Sequence, residues 1–274
     1  MSLKHILPTF RNRFNFVIQN VEKHSNSTKF KNMLNLGTGE GDFDEYLAKY
    51  TEELTSCDIN VFDIEQAKRV NKDIPNIIYQ VKDALETEYP NDRFDLIVCT
   101  EVIEHVGNPT LLLKEIHRIL AENGIAILTF PSRSFPITYD PLNYIAKKLR
   151  SIKPIINQGA YAFGHTYLID YEEFCKIVDA AGLQIKSSTP LSGYLIGFLE
   201  MYWTGIFQNL FKSNSKNLNE SKNKFITIKS KSSKIPFLSK ITDFIIKVDR
   251  AFFTIGNNLI GIGIIIVKKS YITV

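Results

Sequence analysis

The chain has 274 residues, room for one large domain with an elaboration or for two small ones. With 44 % hydrophobic and 23 % charged residues a packed core is expected, and a net charge of +4 is too mild to imply a nucleic-acid partner by itself. Cys57, Cys99 and Cys175 lie far apart and form no CxxC pair, which argues against a zinc site or a disulfide framework and fits a reduced, cytoplasmic compartment.

The N-terminus scatters Lys4, Arg11 and Arg13 around Pro8, with no apolar run leading to a small-residue cleavage site, so no signal peptide is read. Residues 1–29 form an N-terminal helical segment ahead of the core. Met33 to Leu36 is a buried strand ended by the glycine turn Gly37 to Gly41, and a helix follows through Tyr46 and Leu47. Leu54 to Asp58 and Ile77 to Val81 are the second and third strands. Phe94 to Thr100 is apolar almost throughout, as a strand covered on both faces should be. Pro109 to Leu120 has apolar residues at Leu112, Leu113, Ile116 and Leu120, a helical period; Asn123-Gly124 is read as its stop and Ile125 to Phe130 as the fifth strand. Tyr171 to Ala181 is a helix closed by Gly182, and Leu183 to Lys186 is the sixth strand.

The regularity then breaks. Ser192 to Phe211 is strongly apolar, but Glu200, Thr204 and Gln208 recur along one helical face. A lid helix, an interfacial helix against a membrane and a membrane span are all open readings of this stretch. Lys212 to Lys234 is a basic linker rich in Lys, Ser and Asn. Phe237 to Phe253 is helical again, with Ile241, Phe244, Ile245, Val248 and Phe252 on one face, and Gly263 to Lys268 is a last strand rejoining the sheet. The expected fold is α/β, a doubly wound, mostly parallel seven-stranded sheet with a helical insertion before the last strand. The expected organisation is a core over 30–191, a helical cap or membrane-proximal insertion over 192–261, and the returning strand over 262–274.

The informative segment is Leu36-Gly37-Thr38-Gly39-Glu40-Gly41-Asp42. Glycines let a backbone turn sharply and approach a ligand closely. The spacing is GxGxG, not the dinucleotide GxGxxG, and a pyrophosphate would meet Glu40 and Asp42; a sulfonium and an ammonium suit those acids better. Asp58, at the end of the second strand, is placed to accept ribose hydroxyls, and Asp83 a hydrogen from an adenine amino group. Each acid alone also reads as a cap or turn residue.

From about Phe30 to Ser188 the chain resembles class I S-adenosylmethionine-dependent methyltransferases. The resemblance rests on the GxGxG turn, Asp58, the Asp83-Ala84 pair, FDLIVCTEVIEHV and ILAENGIAILTFPS. It implies that Gly37, Thr38, Gly39 and Gly41 line the S-adenosylmethionine, that Asp58 and Ile59 meet its ribose, and that Asp83 and Ala84 meet its adenine. Glu101 would sit beside it at the end of the fourth strand. Asn35 stands where the family usually has Asp or Glu; it keeps an acceptor but loses the charge.

Glu101-Val102-Ile103-Glu104-His105 follows a buried strand at the sheet edge where ligands bind in open α/β folds. A helical turn starting there would bring Glu101, Glu104 and His105 together. The segment resembles the ExxEH pattern of ubiquinone-type O-methyltransferases and small-RNA 2′-O-methyltransferases, which binds Mg²⁺, and a later histidine, here His165, would complete the metal site. Three readings stay open: a Mg²⁺ site of Glu101, Glu104, His105 and His165; metal-free catalysis with His105 as base beside Glu104 and His165; and a structural role. The aromatic residues Tyr139, Tyr144, Tyr161, Phe163, Tyr167 and Tyr171 suggest a large, partly apolar acceptor cleft. The expected activity is O-methylation of a small acceptor, lipid-linked, isoprenoid or sugar-like, with peripheral membrane contact through 192–257. RNA 2′-O-methylation and a non-catalytic cofactor-binding role are the alternatives; no strong nucleic-acid signal accompanies the basic linker.

Overall fold

The structure is a computed structural model that describes residues 3–25, 28–132, 148–149, 169–199, 237–254 and 260–269. In chain order these form α1 (Pro8–Ser25), β1 (Phe30–Leu36), α2 (Asp44–Leu47), β2 (Thr51–Asp58), α3 (Val61–Val70), β3 (Ile77–Val81), β4 (Phe94–Thr100), α4 (Pro109–Ile119) and β5 (Leu120–Pro131). After these come α5 (Tyr171–Ala180), β6 (Leu183–Ser192), α6 (Tyr194–Phe198), α7 (Ser239–Phe252) and β7 (Gly261–Lys268).

The strands form one seven-stranded sheet in the order β3-β2-β1-β4-β5-β7-β6. β1 pairs in parallel with β2 and β4, β2 with β3, and β4 with β5. The chain starts in the middle at β1, works outward to β3, then crosses to β4. The carboxyl ends of β1 and β4 therefore flank the point where the strand order reverses, where ligands bind in this architecture. β7 runs the other way against β6, since Lys269 N–H bonds Gly182 O at one end and Ile260 N–H bonds Ser192 O at the other.

Sequence explains the central strands. Met33, Leu34, Leu36, Leu96, Ile97 and Val98 are fully buried, as continuous apolar strands sandwiched between helices must be. Each such side chain contributes roughly 1.5–3 kcal/mol of burial free energy. α4 buries Leu112, Leu113, Ile116 and Ile119 along one stripe, and Asn108 caps it by accepting from Thr110 and Leu111 N–H.

Several expected boundaries move: β1 and β2 begin three residues earlier, and β6 runs past Lys186 to Ser192. Asn123-Gly124 does not stop α4; the helix ends at Ile119 and β5 begins at once. Phe94 pairs with Leu120 and Leu96 already with Ile125, so Asn123 and Gly124 lie in a bulge of β5. A Cβ on Gly124 would stand 2.8 Å from Leu120 Cδ1, which explains the glycine without a helix stop.

The chain divides into two compact units. One contains Phe14–Phe130, Tyr171–Thr189 and Gly263–Val274, and holds most of the sheet and all the described residues expected to bind the cofactor. The other contains Met1–Arg13, Pro131–Asp170 and Pro190–Ile262. Its described residues are organised around α7. Arg11 makes a two-bonded ion pair with Asp243, Thr242 donates to Ile6 O, and Asp249 accepts the Gly193, Leu195 and Ile196 N–H groups at the start of α6. No described helix is long and apolar enough to cross a membrane.

Candidate active site

The turn after β1 carries three glycines in the left-handed region: Gly37 at φ +79°, Gly39 at +53° and Gly41 at +77°. Each is glycine for a different reason. A Cβ on Gly37 would lie 2.3 Å from Val102 Cγ2, so this glycine admits the corner after β4. A Cβ on Gly41 would meet Asn71 Nδ2 at 2.7 Å and Asp44 Oδ2 at 2.9 Å. A Cβ on Gly39 would meet nothing within 4 Å, so its backbone faces open space. That space is where a ligand can reach the backbone of the turn.

The neighbouring strand ends hold the turn in place. Cys57 O accepts from both Gly37 and Thr38 N–H, and Asp58 Oδ2 accepts from Gly39 N–H at 2.9 Å. Asp58 Oδ1 accepts from Asn60 N–H at the start of α3. A carboxylate has about four lone-pair directions, so Asp58 retains capacity for hydroxyl donors. Ile59 follows it, 52 % exposed. Asp83 is exposed, and its Oδ1 accepts from Leu85 N–H, the turn geometry its type favours. Ala84 follows, half-buried.

Glu101, at the end of β4, is a non-glycine residue at φ +54°. Its N–H bonds Thr129 O at 2.8 Å and its Oε1 accepts from Thr129 Oγ1 at 3.1 Å, so β5 anchors both its backbone and its side chain. Left-handed backbone in such a residue costs on the order of 1–3 kcal/mol and tends to mark functional corners. The next residues diverge. Val102 packs against Gly37, Ile103 enters the core, Glu104 is 1 % exposed and the His105 side chain is 47 % exposed. His105 Nε2 stands 4.0 Å from Glu104 Oε1. Partial burial holds the His105 pKa below its ordinary value, with the Glu101 charge pulling the other way, so the ring is neutral at neutral pH.

The family model described as "Methyltransferase domain" matches residues 10–188. The chain belongs to the methyltransferase-domain family. A "Ubiquinone biosynthesis O-methyltransferase" of Histophilus somni is 29 % identical to it over 124 residues, 43 % of this chain and 52 % of that protein. One of Coxiella burnetii is 32 % identical over 108 residues, 39 % of this chain and 46 % of that protein. The matches thus span about half the length of these curated relatives. Among solved structures, the YcgJ protein from Bacillus subtilis aligns with a TM-score of 0.56 at 16 % identity, covering 95 % of this chain and all of that one. The [4+2]-cyclase SpnF aligns at 0.59 and 13 %, covering 93 % of this chain and 81 % of that one. At such identities these two show the fold, which is the Rossmann-like fold of class I S-adenosylmethionine-dependent methyltransferases.

For a methyltransferase-domain protein the donor is S-adenosylmethionine, and the turn fits it: open backbone at Gly39, acids at Asp58 and Asp83, an exposed apolar Ile59, and the carboxylate of Glu101. The expected metal site is not assembled among the described residues, where no group of three or more His, Cys, Asp or Glu side chains is placed to hold an ion. Glu101 in left-handed backbone starts no helical turn, and Glu104 is buried while His105 points outward. His165 and the aromatic residues from Tyr139 to Tyr167 lie outside the described residues, as do Glu200, Thr204, Gln208 and the lysine-rich linker.

Sequence reasoning missed the polar cage beneath the turn. Asp44 is fully buried, and its carboxylate accepts from Asn35 Nδ2, Thr38 Oγ1, Ser56 Oγ and Tyr79 Oη at 2.6 to 2.9 Å. Asn71 Nδ2 joins Tyr79 Oη to Gly41 O. Burial raises the Asp44 pKa against the lowering effect of these donors, and it raises that of Tyr79 as well. In sequence Asp44 reads as an ordinary acid in the first turn of a helix. A signal was available in Ser56, a polar residue inside a buried strand that needs a partner.

Proposed function

We propose that this protein transfers a methyl group from S-adenosylmethionine to a hydroxyl of a small acceptor, with His105 as general base. The observation that carries the reading is the turn after β1. Its middle glycine faces open space, and a carboxylate from β2 holds its N–H in place. In this reading Asn35, Gly37, Thr38, Gly39 and Gly41 shape the cradle. Asp58 and Ile59 take the ribose side, Asp83 and Ala84 the adenine, and Glu101 the end nearest the reacting methyl. The donor supplies an activated methyl on sulfur, so the protein mainly positions the two reactants and keeps water away.

A hydroxyl acceptor must also lose its proton. His105 is suited to receive it, being neutral at neutral pH, accessible, and close to the end of β4 beside buried Glu104. A lipid-linked or isoprenoid acceptor is supported by the names of the two relatives, which act in ubiquinone biosynthesis. SpnF, a cyclase by name, has the same fold, so the fold alone does not choose methyl transfer.

Calorimetric titration with S-adenosylmethionine and with its demethylated product tests the cradle. Saturable one-to-one binding is expected, and a well-folded protein that takes up neither compound sinks the reading. Methyl transfer to a hydroxylated isoprenoid acceptor, lost in His105→Ala with cofactor binding intact, would separate an enzyme from a cofactor-binding regulator.

A further inference from the structure

α7 is turned inside out relative to a helix of an ordinary globular surface. Its buried positions are Ser239, Thr242, Ile246 and Asp249, mostly polar. Its outward face is apolar: Phe237 just before the helix is 76 % exposed, Ile241 55 %, Phe244 67 % and Phe252 75 %. These residues are spaced as one side of a helix, with half-buried Val248 between Phe244 and Phe252. An isolated exposed Leu or Phe needs no explanation, but a whole helical face does.

The charges on this helix are sorted as well. Both of its acids are directed into the protein. Asp243 is bound to Arg11 by two hydrogen bonds at 2.8 and 3.0 Å, and Asp249 spends its oxygens on the N–H groups at the start of α6. The exposed charges of α7 are Lys240, Lys247 and Arg250, all positive. The segment preceding it in sequence, from Lys212 to Lys234, carries seven lysines against the single acid Glu220. An apolar face bordered by cations, with the anions withdrawn, is complementary to a surface that is oily inside and anionic at its rim.

We infer that α7 is an interfacial helix that docks the protein on an anionic lipid bilayer, with Phe237, Ile241, Phe244 and Phe252 entering the acyl boundary and Lys240, Lys247 and Arg250 meeting the headgroups. The helix is about 21 Å long at 1.5 Å per residue, suited to lying in the interface plane and too short to cross the bilayer. This docking does not depend on the methyl-transfer reading: it can hold for a protein that binds no donor, and donor binding can hold without it.

The test uses the full chain with vesicles of phosphatidylcholine alone and with about one-third phosphatidylglycerol. Sedimentation should carry the protein down with the anionic vesicles and far less with the neutral ones. Phe244→Ser with Phe252→Ser should reduce the partition coefficient at least tenfold, at an unchanged melting temperature and unchanged S-adenosylmethionine affinity. Lys240→Gln with Lys247→Gln should weaken binding severalfold and flatten its salt dependence. An environment-sensitive dye on a Phe244→Cys, Cys175→Ser variant should report water in the free protein and shift to the blue with vesicles. Protein left in the supernatant with anionic vesicles overturns the proposal. A dye already shielded without lipid overturns it in favour of a segment of this chain as the occupant. A dimer by light scattering that the paired Phe→Ser variant dissolves overturns it in favour of a second copy.

Discussion

Asn35 donates its side-chain amide to Asp44 Oδ1 at 2.6 Å, inside a cage that also binds that carboxylate through Thr38, Ser56 and Tyr79. The acid that the family resemblance expects at position 35 therefore stands nine residues on, in direct contact with it. The turn that shapes the cradle rests on this buried carboxylate, because Thr38 belongs to the turn and Asn71 ties the cage to Gly41 O.

Removing the carboxylate should leave several buried donors unsatisfied. Asp44→Ala is expected to lower stability by about 3 kcal/mol in urea unfolding, while Asp44→Asn costs clearly less because it keeps the shape and an acceptor. The pH dependence follows from the raised pKa. Above the folded-state value the buried charge lowers stability, and as pH falls through that value the penalty is relieved, vanishing below the ordinary carboxylate pKa. Asp44→Asn has no charge to bury. The stability difference between the two proteins should move in favour of wild type as pH falls from neutral, and a difference that moves the other way would contradict the cage.

The three glycines should separate by phenotype. Gly39→Ala places its methyl in open space, so it should cost only on the order of 1 kcal/mol for the left-handed backbone, yet weaken S-adenosylmethionine binding at least tenfold. Gly37→Ala and Gly41→Ala add clashes to the same backbone cost and should lose clearly more stability. Paired unfolding curves and calorimetry read this out; equal stability losses in all three would refute the assignment.

Glu101 offers a test of stored strain. Glu101→Gly relieves a left-handed backbone and loses the bond from Thr129, so its stability should stay within about 1 kcal/mol of wild type. Methyl transfer should nevertheless fall by tenfold or more, since the anchored carboxylate is gone. A large loss of stability with normal turnover would show that the residue serves the fold alone.

His105 should set the acid limb of the rate profile. Its lowered pKa keeps the ring basic and uncharged at neutral pH, so kcat/KM should fall only as pH drops below the ordinary histidine value of about 6.5. His105→Gln should lower kcat by roughly 10²–10⁴-fold, leave cofactor affinity unchanged and abolish that limb. Turnover should persist in excess chelator; its loss there and its return with Mg²⁺ would revive a metal site built with His165.

The fold was legible wherever one physical rule dominated. β3 and β4 match their expected bounds residue for residue, since each is a short, mostly apolar, β-branched-rich run too short for a buried helix. β5 and its bulge were not legible, because Asn123-Gly124 carries the same letters whether it ends a helix or bends a strand. Gly37 to Gly41, Asp58 and Asp83 could be picked out by spacing. The cage around Asp44 could not, since its members at positions 35, 38, 44, 56, 71 and 79 meet only through the register of β1, β2 and β3. The Glu101, Glu104 and His105 cluster was legible as a neighbourhood but not in its geometry: periodicity presumes a helix, whereas residue 101 is left-handed, and His105 still stands 4.0 Å from Glu104 and feels the Glu101 charge.

The contact of Val102 with Gly37 ties two distant stretches of chain into a single joint. The valine methyl fills the volume that any larger residue at 37 would need. Position 37 cannot gain a side chain by itself without prying the opening strand's turn away from the corner that presents Glu101, so any growth there should come with a loss of bulk at 102. A smaller residue at 102 would release position 37 to accept alanine, and such a doubly altered protein should hold its shape better than the alanine change made by itself.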